Sequence, residues 1–213
     1  MFLGYYKYHF KLFINQTIIK FFLRKKRVNI SSGCFISNNS EISKGVYIGK
    51  NTNIGNNVIL KENVHIGSNA SLSNITVGKN SSIETGVICT GYGNGKVIIG
   101  EESYIGVYDI LDWSDNIKIG NYVHIAGPST GLWTHSSSKQ ALAGLPLLEK
   151  DINYRPTSPI IIEDHVYIGG NCTIYPGVTI RHHSIVAPNS VVNKDVESHT
   201  LVGGVPAKVI KRI

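Results

Sequence analysis

Residues 159–192 read PIIIEDHVYIGGNCTIYPGVTIRHHSIVAPNSVV. Ile162, Ile168, Ile174, Ile180, Val186 and Val192 recur in it every six residues without exception. Two places before each stands a second small or branched residue: Ile160, Val166, Cys172, Val178, Ser184 and Ser190. A period of six is neither helical nor plain alternation, so neither amphipathic template accounts for it. It fits a parallel β-helix, in which each short strand with its turn takes six residues and three such units close one triangular coil.

The same lattice extends upstream. Ile30, Ile36, Ile42, Ile48, Ile54, Leu60, Ile66 and Leu72 keep the spacing of six. Three places after most of them comes Asn39, Gly45, Asn51, Asn57, Asn63 or Asn69. Asparagine and glycine accept positive φ at low cost, as a tight corner between flat faces requires. Ile75 breaks the series, so one residue is missing near residues 73–77, and Val77 and Ile83 restart it. A turn-rich insertion at 90–97, Gly91-Tyr92-Gly93-Asn94-Gly95 at its centre, has the composition of a hairpin thrown off one corner. Ile99, Ile105 and Leu111 resume the lattice, and Ile119 and Ile125 continue it after a shift of two. The long break is 127–159, rich in Ser, Pro and Gly; a loop of that length in a compact repeat is more often functional than idle. Counting about 22 six-residue units predicts roughly seven coils and a prism roughly 34 Å long.

Residues 1–27 stand outside the repeat. Phe10, Phe13, Ile14, Thr17, Ile18, Phe21 and Phe22 recur at helical spacing, and Arg24-Lys25-Lys26-Arg27 closes the segment. Two readings are open: a helix packed on the coil or on a neighbouring subunit, or an interfacial helix on an anionic membrane surface. The segment is too short and interrupted to span a bilayer. The 213 residues therefore divide into a helical segment 1–27, a β-helix 28–202 and a tail 203–213.

Net charge is +7 with a pI near 9.3, which implies anionic partners. No nucleic-acid motif or arginine run interleaved with aromatics appears, so a phosphorylated small molecule is the better partner than DNA or RNA. Cys34, Cys89 and Cys172 lack metal or redox spacing. No cleavable signal peptide is read, since Lys7, His9, Lys11 and Lys20 interrupt every apolar run, and a cytoplasmic home is expected.

The stretch closes with Val202-Gly203-Gly204-Val205-Pro206-Ala207-Lys208-Val209-Ile210. With that tail the chain resembles the left-handed β-helix, hexapeptide-repeat acyltransferases, especially the galactoside, maltose and polysaccharide O-acetyltransferases. The resemblance covers nearly all of 28–213 and is specific over roughly 115–213. It implies an all-β, left-handed parallel β-helix with a protruding active-site loop, assembled as a homotrimer.

Of eight histidines, the lattice places His65 and His124 on an outer face and His165 and His183 at corners. His182 lies within a corner, and His9 and His199 near the two ends. His135 alone sits in the long loop, within Trp133-Thr134-His135-Ser136. The resemblance makes His135 the general base, because the family carries a histidine on a loop that is followed by three intact repeats and the same tail. Imidazole suits that role, since it can take the proton of an alcohol that is otherwise a poor nucleophile at neutral pH. Gly169-Gly170 aligns with the segment that offers an oxyanion donor, and Trp133 is grouped with it on the acceptor side. Tyr167 stands where galactoside acetyltransferases carry tryptophan, and Gly106 where they carry an acceptor-binding asparagine, which argues against a simple galactoside or maltose acceptor. Pro188, Asn193 and Lys194 match positions along the pantetheine arm of coenzyme A, and Lys208 and Lys211 match cationic tail positions, with Arg212 nearby.

The expected activity is thus acetyl-CoA-dependent O-acetylation of a sugar hydroxyl on a polysaccharide precursor, without a metal. Acylation of an amino sugar is the nearest alternative, and a non-catalytic β-helix scaffold the alternative of another class. Serine acetylation lacks its glycine-rich and paired-histidine motifs. A metal-dependent carbonic anhydrase of this fold would need three converging histidines, and His124 and His135 have no third partner at suitable spacing.

Overall fold

A computed structural model describes residues 16–146 and 153–213. Strands of two to five residues wind into a parallel β-helix with three faces. The first face starts at Asn29–Ile30, the second at Phe35–Ile36 and the third at Glu41–Ile42. Each strand hydrogen-bonds to the strand one turn later: Asn29 pairs with Tyr47, Phe35 with Asn53, Glu41 with Ile59.

Alternation along each strand turns one side chain in and the next out. The inward column of the first face runs Ile30, Ile48, Ile66, Ile83, Ile105, Ile125, Ile168, Val186 and Val202, all buried. Ile36, Ile54, Leu72, Cys89, Leu111, Leu132, Ile174 and Val192 fill the second face, and with Ile42, Leu60, Val77, Ile99, Ile119, Ile162 and Ile180 of the third these columns form the centre of the core. The missing residue near Ile75 is a step of 17 in the ladder, Val58 pairing with Ile75. Cys34, Cys89 and Cys172 are buried and free, and burial pushes the Cys89 thiol up to about 12.

Corners carry the predicted left-handed residues. Asn51, Asn57, Asn63 and Asn69 have φ between 56° and 57°, Gly45 has 73°, and His165 and His183 have 59° and 55°. Asn39 does not: it caps a turn from ordinary φ, with its amide donating to Asn57 Oδ1 (3.3 Å). Side-chain ladders continue up the same corner, the Asn57 amide donating to Asn74 Oδ1 at 2.8 Å.

Three expectations need correction. The first face stacks nine parallel strands, whose eight spacings of about 4.8 Å span roughly 38 Å, so seven coils is too few. The count fell short because Leu132 and Val202 lie off the grid of six while still occupying inward places. The insertion at 90–97 is not a hairpin but a widened corner on which the next turn's corner lies. A Cβ at Gly93 would sit 1.9 Å from the Ser114 carbonyl oxygen, and one at Gly95 2.2 Å from Asp115, so only glycine allows that approach. Finally, strand Gly131–Leu132 belongs to the second face, and the chain leaves the coil only after it.

The described part of the N-terminal helix covers 16–25 and closes the first turn. The Gln16 side chain bonds both N–H and C=O of Ile36, and Lys20 Nζ donates to the Cys34 carbonyl (2.6 Å). Leu23 is buried and Ile19 packs on the core, whereas Ile18, Phe21 and Phe22 are exposed. The apolar stripe read from the sequence is therefore the outer face. The rest of that stripe, Phe10, Phe13 and Ile14, lies outside the described residues. No helix among the described residues is long and apolar enough to cross a membrane. Beyond the last parallel strand, Lys208–Arg212 turns back antiparallel on Thr200–Gly203.

Candidate active site

After Leu132 the chain crosses a corner and runs outward as a short ribbon. His135 bridges Thr157 in antiparallel fashion, and the Ser158 N–H donates to the Thr134 carbonyl (2.9 Å). A one-turn helix, Ser138–Leu142, follows. The predicted base thus stands at the root of the loop, where two strands and the coil restrain it.

What restrains it most is a residue that the periodicity did not single out. Asp112 lies one turn below, with 1% of its side chain exposed. Its Oδ2 is 2.6 Å from His135 Nδ1 and accepts the backbone N–H groups of Thr134 (2.9 Å) and His135 (3.2 Å). Its Oδ1 accepts the Ser114 N–H (3.0 Å) and hydroxyl (2.6 Å). Burial pushes the Asp112 carboxyl upward, but the bonds from Ser114 and His135 outweigh it and hold the group below the usual carboxylate range. An ionised, acceptor-only carboxylate at Nδ1 makes that nitrogen the donor and leaves Nε2 with its lone pair. Among the described residues Nε2 has no hydrogen-bond partner, and the ring is partly exposed.

The insertion at 90–97 supplies the opposite wall. Tyr92 meets the His135 ring edge-on, centroids 4.8 Å apart, and the Arg155 guanidinium lies over the Tyr92 ring, 4.0 Å from its centroid. Tyr92, Gly93, Asn94, Ser114, Asp115 and Thr157 line a groove beside the histidine. A partly exposed imidazole with a buried carboxylate behind it and a polar groove beside it is an arrangement able to accept a proton from a bound hydroxyl.

The other residues singled out in the sequence fall in four places. Trp133 begins the same corner, its backbone N–H donating to the Ile174 carbonyl. Asn193 and Lys194 are exposed on that column of corners, after strand Val191–Val192, two second-face strands beyond Gly131–Leu132. Gly169, Gly170 and Pro188 are at the other end of the second face, after first-face strands. The Gly169 N–H donates to Val186 (2.9 Å), while that of Gly170 has no partner among the described residues. Tyr167 is exposed on the first face beside His124, rings 5.5 Å apart. Lys208 and Lys211 are exposed on the final strand, and no ion pair among the described residues engages them or Lys194.

The Gly106 departure has a steric reason. A Cβ there would sit 2.0 Å from the Gly127 nitrogen, so no side chain fits. Buried Asp109 ties the same corner together, accepting from Gly106 N–H (3.0 Å) and Thr130 N–H (2.8 Å). Burial pushes its carboxyl up to about 7 against those two donors.

Sequence comparison agrees with this architecture. Residues 159–194 match the bacterial transferase hexapeptide (six repeats), and 27–61 and 62–90 match the hexapeptide repeat of succinyl-transferase. The chain belongs to the hexapeptide-repeat transferases. A candidate lipopolysaccharide biosynthesis O-acetyl transferase of Escherichia coli (strain K12), WbbJ, is 30% identical over 123 residues. That match takes in 48% of this chain and 61% of WbbJ. A tetrahydropyridine-dicarboxylate N-acetyltransferase of Staphylococcus aureus (strain bovine RF122 / ET3-1) is 42% identical over 39% of this chain and 33% of its own. The chain thus spans under two thirds of the curated relatives it matches. Among solved structures, the polySia specific acetyltransferase NeuO superposes with a TM-score of 0.55 at 27% identity, covering 87% of this chain and 85% of NeuO. AntD, an N-acyltransferase from Bacillus cereus in complex with dTDP and 3-hydroxybutyryl-CoA, gives 0.58 at 22% identity over 91% and 87%, a likeness of fold.

Proposed function

We propose that this hexapeptide-repeat protein transfers acetyl from acetyl-CoA to a hydroxyl of a sugar in a surface-polysaccharide precursor. The observation that carries the reading is the Asp112–His135 pair, a buried carboxylate fixing the tautomer of a loop imidazole whose other nitrogen has no partner among the described residues. His135 Nε2 takes the hydroxyl proton as the acceptor oxygen bonds to the thioester carbon. Asp112 stabilises the resulting imidazolium, the C–S bond breaks, and the proton passes to the departing thiolate, which restores neutral His135. The backbone N–H of Gly170, without a partner among the described residues, could meet the oxyanion. Gly170 and His135 sit at opposite ends of one face, so the reading places the working site between two copies of the chain, as a homotrimer would provide. Light scattering at micromolar concentration that returned a fully active monomer would remove this part.

Lys194, Lys208 and Lys211, without an ion pair among the described residues, suit the phosphates of coenzyme A. The exposed Ile18, Phe21 and Phe22, with Lys25 over the Phe21 ring at 4.6 Å, suit a peripheral position on the inner face of the cytoplasmic membrane. Similarity to both O- and N-acyltransferases makes an amino sugar the second acceptor to test. The deciding experiment presents acetyl-CoA with hydroxyl and amino sugars and reads products by mass spectrometry. His135→Ala is expected to lower turnover by about 10²–10⁴ with acetyl-CoA affinity retained. Normal turnover in His135→Ala together with its abolition in His124→Ala would overturn the assignment.

A further inference from the structure

Away from the His135 cluster, one group of side chains has the make-up of a ligand set. His182, His183 and His199 each present a ring nitrogen, and these nitrogens lie within 4.8 Å of one another. The winding of the coil explains their meeting. His183 and His199 stand at left-handed corners, φ 55° and 56°, and the His199 N–H donates to the His182 carbonyl (3.3 Å). The two corners are therefore stacked one turn apart. Neighbours along a strand point to opposite sides; across this corner His182 and His183 converge instead, their rings edge-on at 5.4 Å. His199 stacks on His183 at 5.1 Å and meets His182 edge-on at 5.3 Å. The Glu163 carboxylate holds the base of the cluster, accepting the His182 N–H at 2.9 Å.

His182 Nδ1 and His183 Nδ1 are 3.2 Å apart. Two nitrogens bound at about 2.0–2.1 Å to one tetrahedral zinc ion stand about 3.3–3.4 Å from each other. The pair already has the separation of two ligands on one ion. A hydrogen bond between two imidazoles would give the same distance, but it does not call for a third ring. All three histidines are exposed, so the rings can turn to face a common point while water takes a fourth position. An all-imidazole set suits zinc, copper or nickel, whereas magnesium and calcium seek oxygen.

We propose that His182, His183 and His199 bind one divalent transition ion, Zn²⁺ in the first instance, as a clip between two adjacent turns. His182 and His183 lead into strand Ile185–Val186, and His199 into Thr200–Gly203. The Ile213 N–H donates to the His199 carbonyl (2.8 Å), so the same corner also anchors the final strand that carries Lys208 and Lys211. The site shares no residue with the His135 cluster and does not depend on the reading of that cluster.

Calorimetric titration of the full chain with Zn²⁺ in chelator-free buffer tests the proposal, with the melting temperature followed in parallel. One ion per chain is expected, with a rise in melting temperature on binding. His183→Asn and His199→Asn place at each corner the residue that Asn51 and Asn57 show is accepted at this φ, so both variants should fold. Each should weaken Zn²⁺ binding about tenfold or more, and the double variant should abolish both binding and the thermal shift. His124→Gln should change neither. Unaltered binding in the double variant, or loss of binding in His135→Asn, would place the ion elsewhere and overturn the proposal. So would the absence of saturable binding to the unaltered protein, which would leave a hydrogen bond between imidazoles as the account of the short distance.

Discussion

Replacing Asp112 by asparagine keeps the shape of the side chain and removes its charge. Its two oxygens receive the N–H of Ser114, Thr134 and His135, the Ser114 hydroxyl and His135 Nδ1, all within 3.2 Å, while the Thr134 hydroxyl donates to the Asp112 backbone carbonyl (2.6 Å). An amide offers one acceptor and turns two N–H donors toward the rest. With the amide oxygen toward His135, the amide nitrogen must face the Ser114 N–H, leaving a buried donor unpaired at about 1–3 kcal/mol. Catalysis should lose a second, separate amount. A hydrogen bond to a charged partner contributes about 1.5–3 kcal/mol, and the imidazolium formed during proton transfer would lose its carboxylate. At about 1.36 kcal/mol per decade, turnover should fall roughly 10- to 150-fold while the Michaelis constant for acetyl-CoA changes little. The stability part should depend on pH with a definite sign. Because the folded-state pKa of Asp112 is lowered, its stabilisation is present above the ordinary carboxylate value near 3.8 and is lost as pH falls through the folded value. The gap in melting temperature between the two proteins should narrow on acidification below about pH 4. Steady-state kinetics and calorimetry on the same preparations separate the two effects. A variant that melts early but turns over normally would show that Asp112 supports the corner only and does not position His135.

Asn57→Val should destabilise the coil by about 1–2 kcal/mol through positive φ alone, or roughly 2–8 °C in melting temperature, with further loss from its broken amide ladder. Unchanged melting would mean that the corner tolerates a branched residue. Lys208→Ala should raise the Michaelis constant for acetyl-CoA about two- to fivefold and leave turnover near normal, since exposed ion pairs contribute little each; a fall in turnover alone would contradict a role in cofactor binding. Deleting residues 1–27 should remove co-sedimentation with anionic vesicles, which should also weaken with salt. Equal sedimentation with and without the segment would place any membrane contact elsewhere.

The amino-acid sequence by itself determined the architecture, because a parallel coil writes its geometry locally. Each inward residue and each left-handed corner recurs at a spacing set by strand and turn length, so Ile162 to Val192 announce the faces and Asn51 to Asn69 the corners. His135 stood out for the same reason, as a histidine off the lattice. Its partner did not. Asp112 follows Leu111 in the run Ile110-Leu111-Asp112-Trp113, and a charged residue amid apolar neighbours was the available signal. Its meaning appears only when the next turn sets Thr134 and His135 above it, 22 and 23 residues on, a distance that the preceding corners make irregular. The same holds for His182, His183 and His199. Periodicity placed His182 and His183 in one corner and left His199 merely near the end of the chain; only stacking decides which corners are neighbours, since side chains meet across turns rather than along the chain.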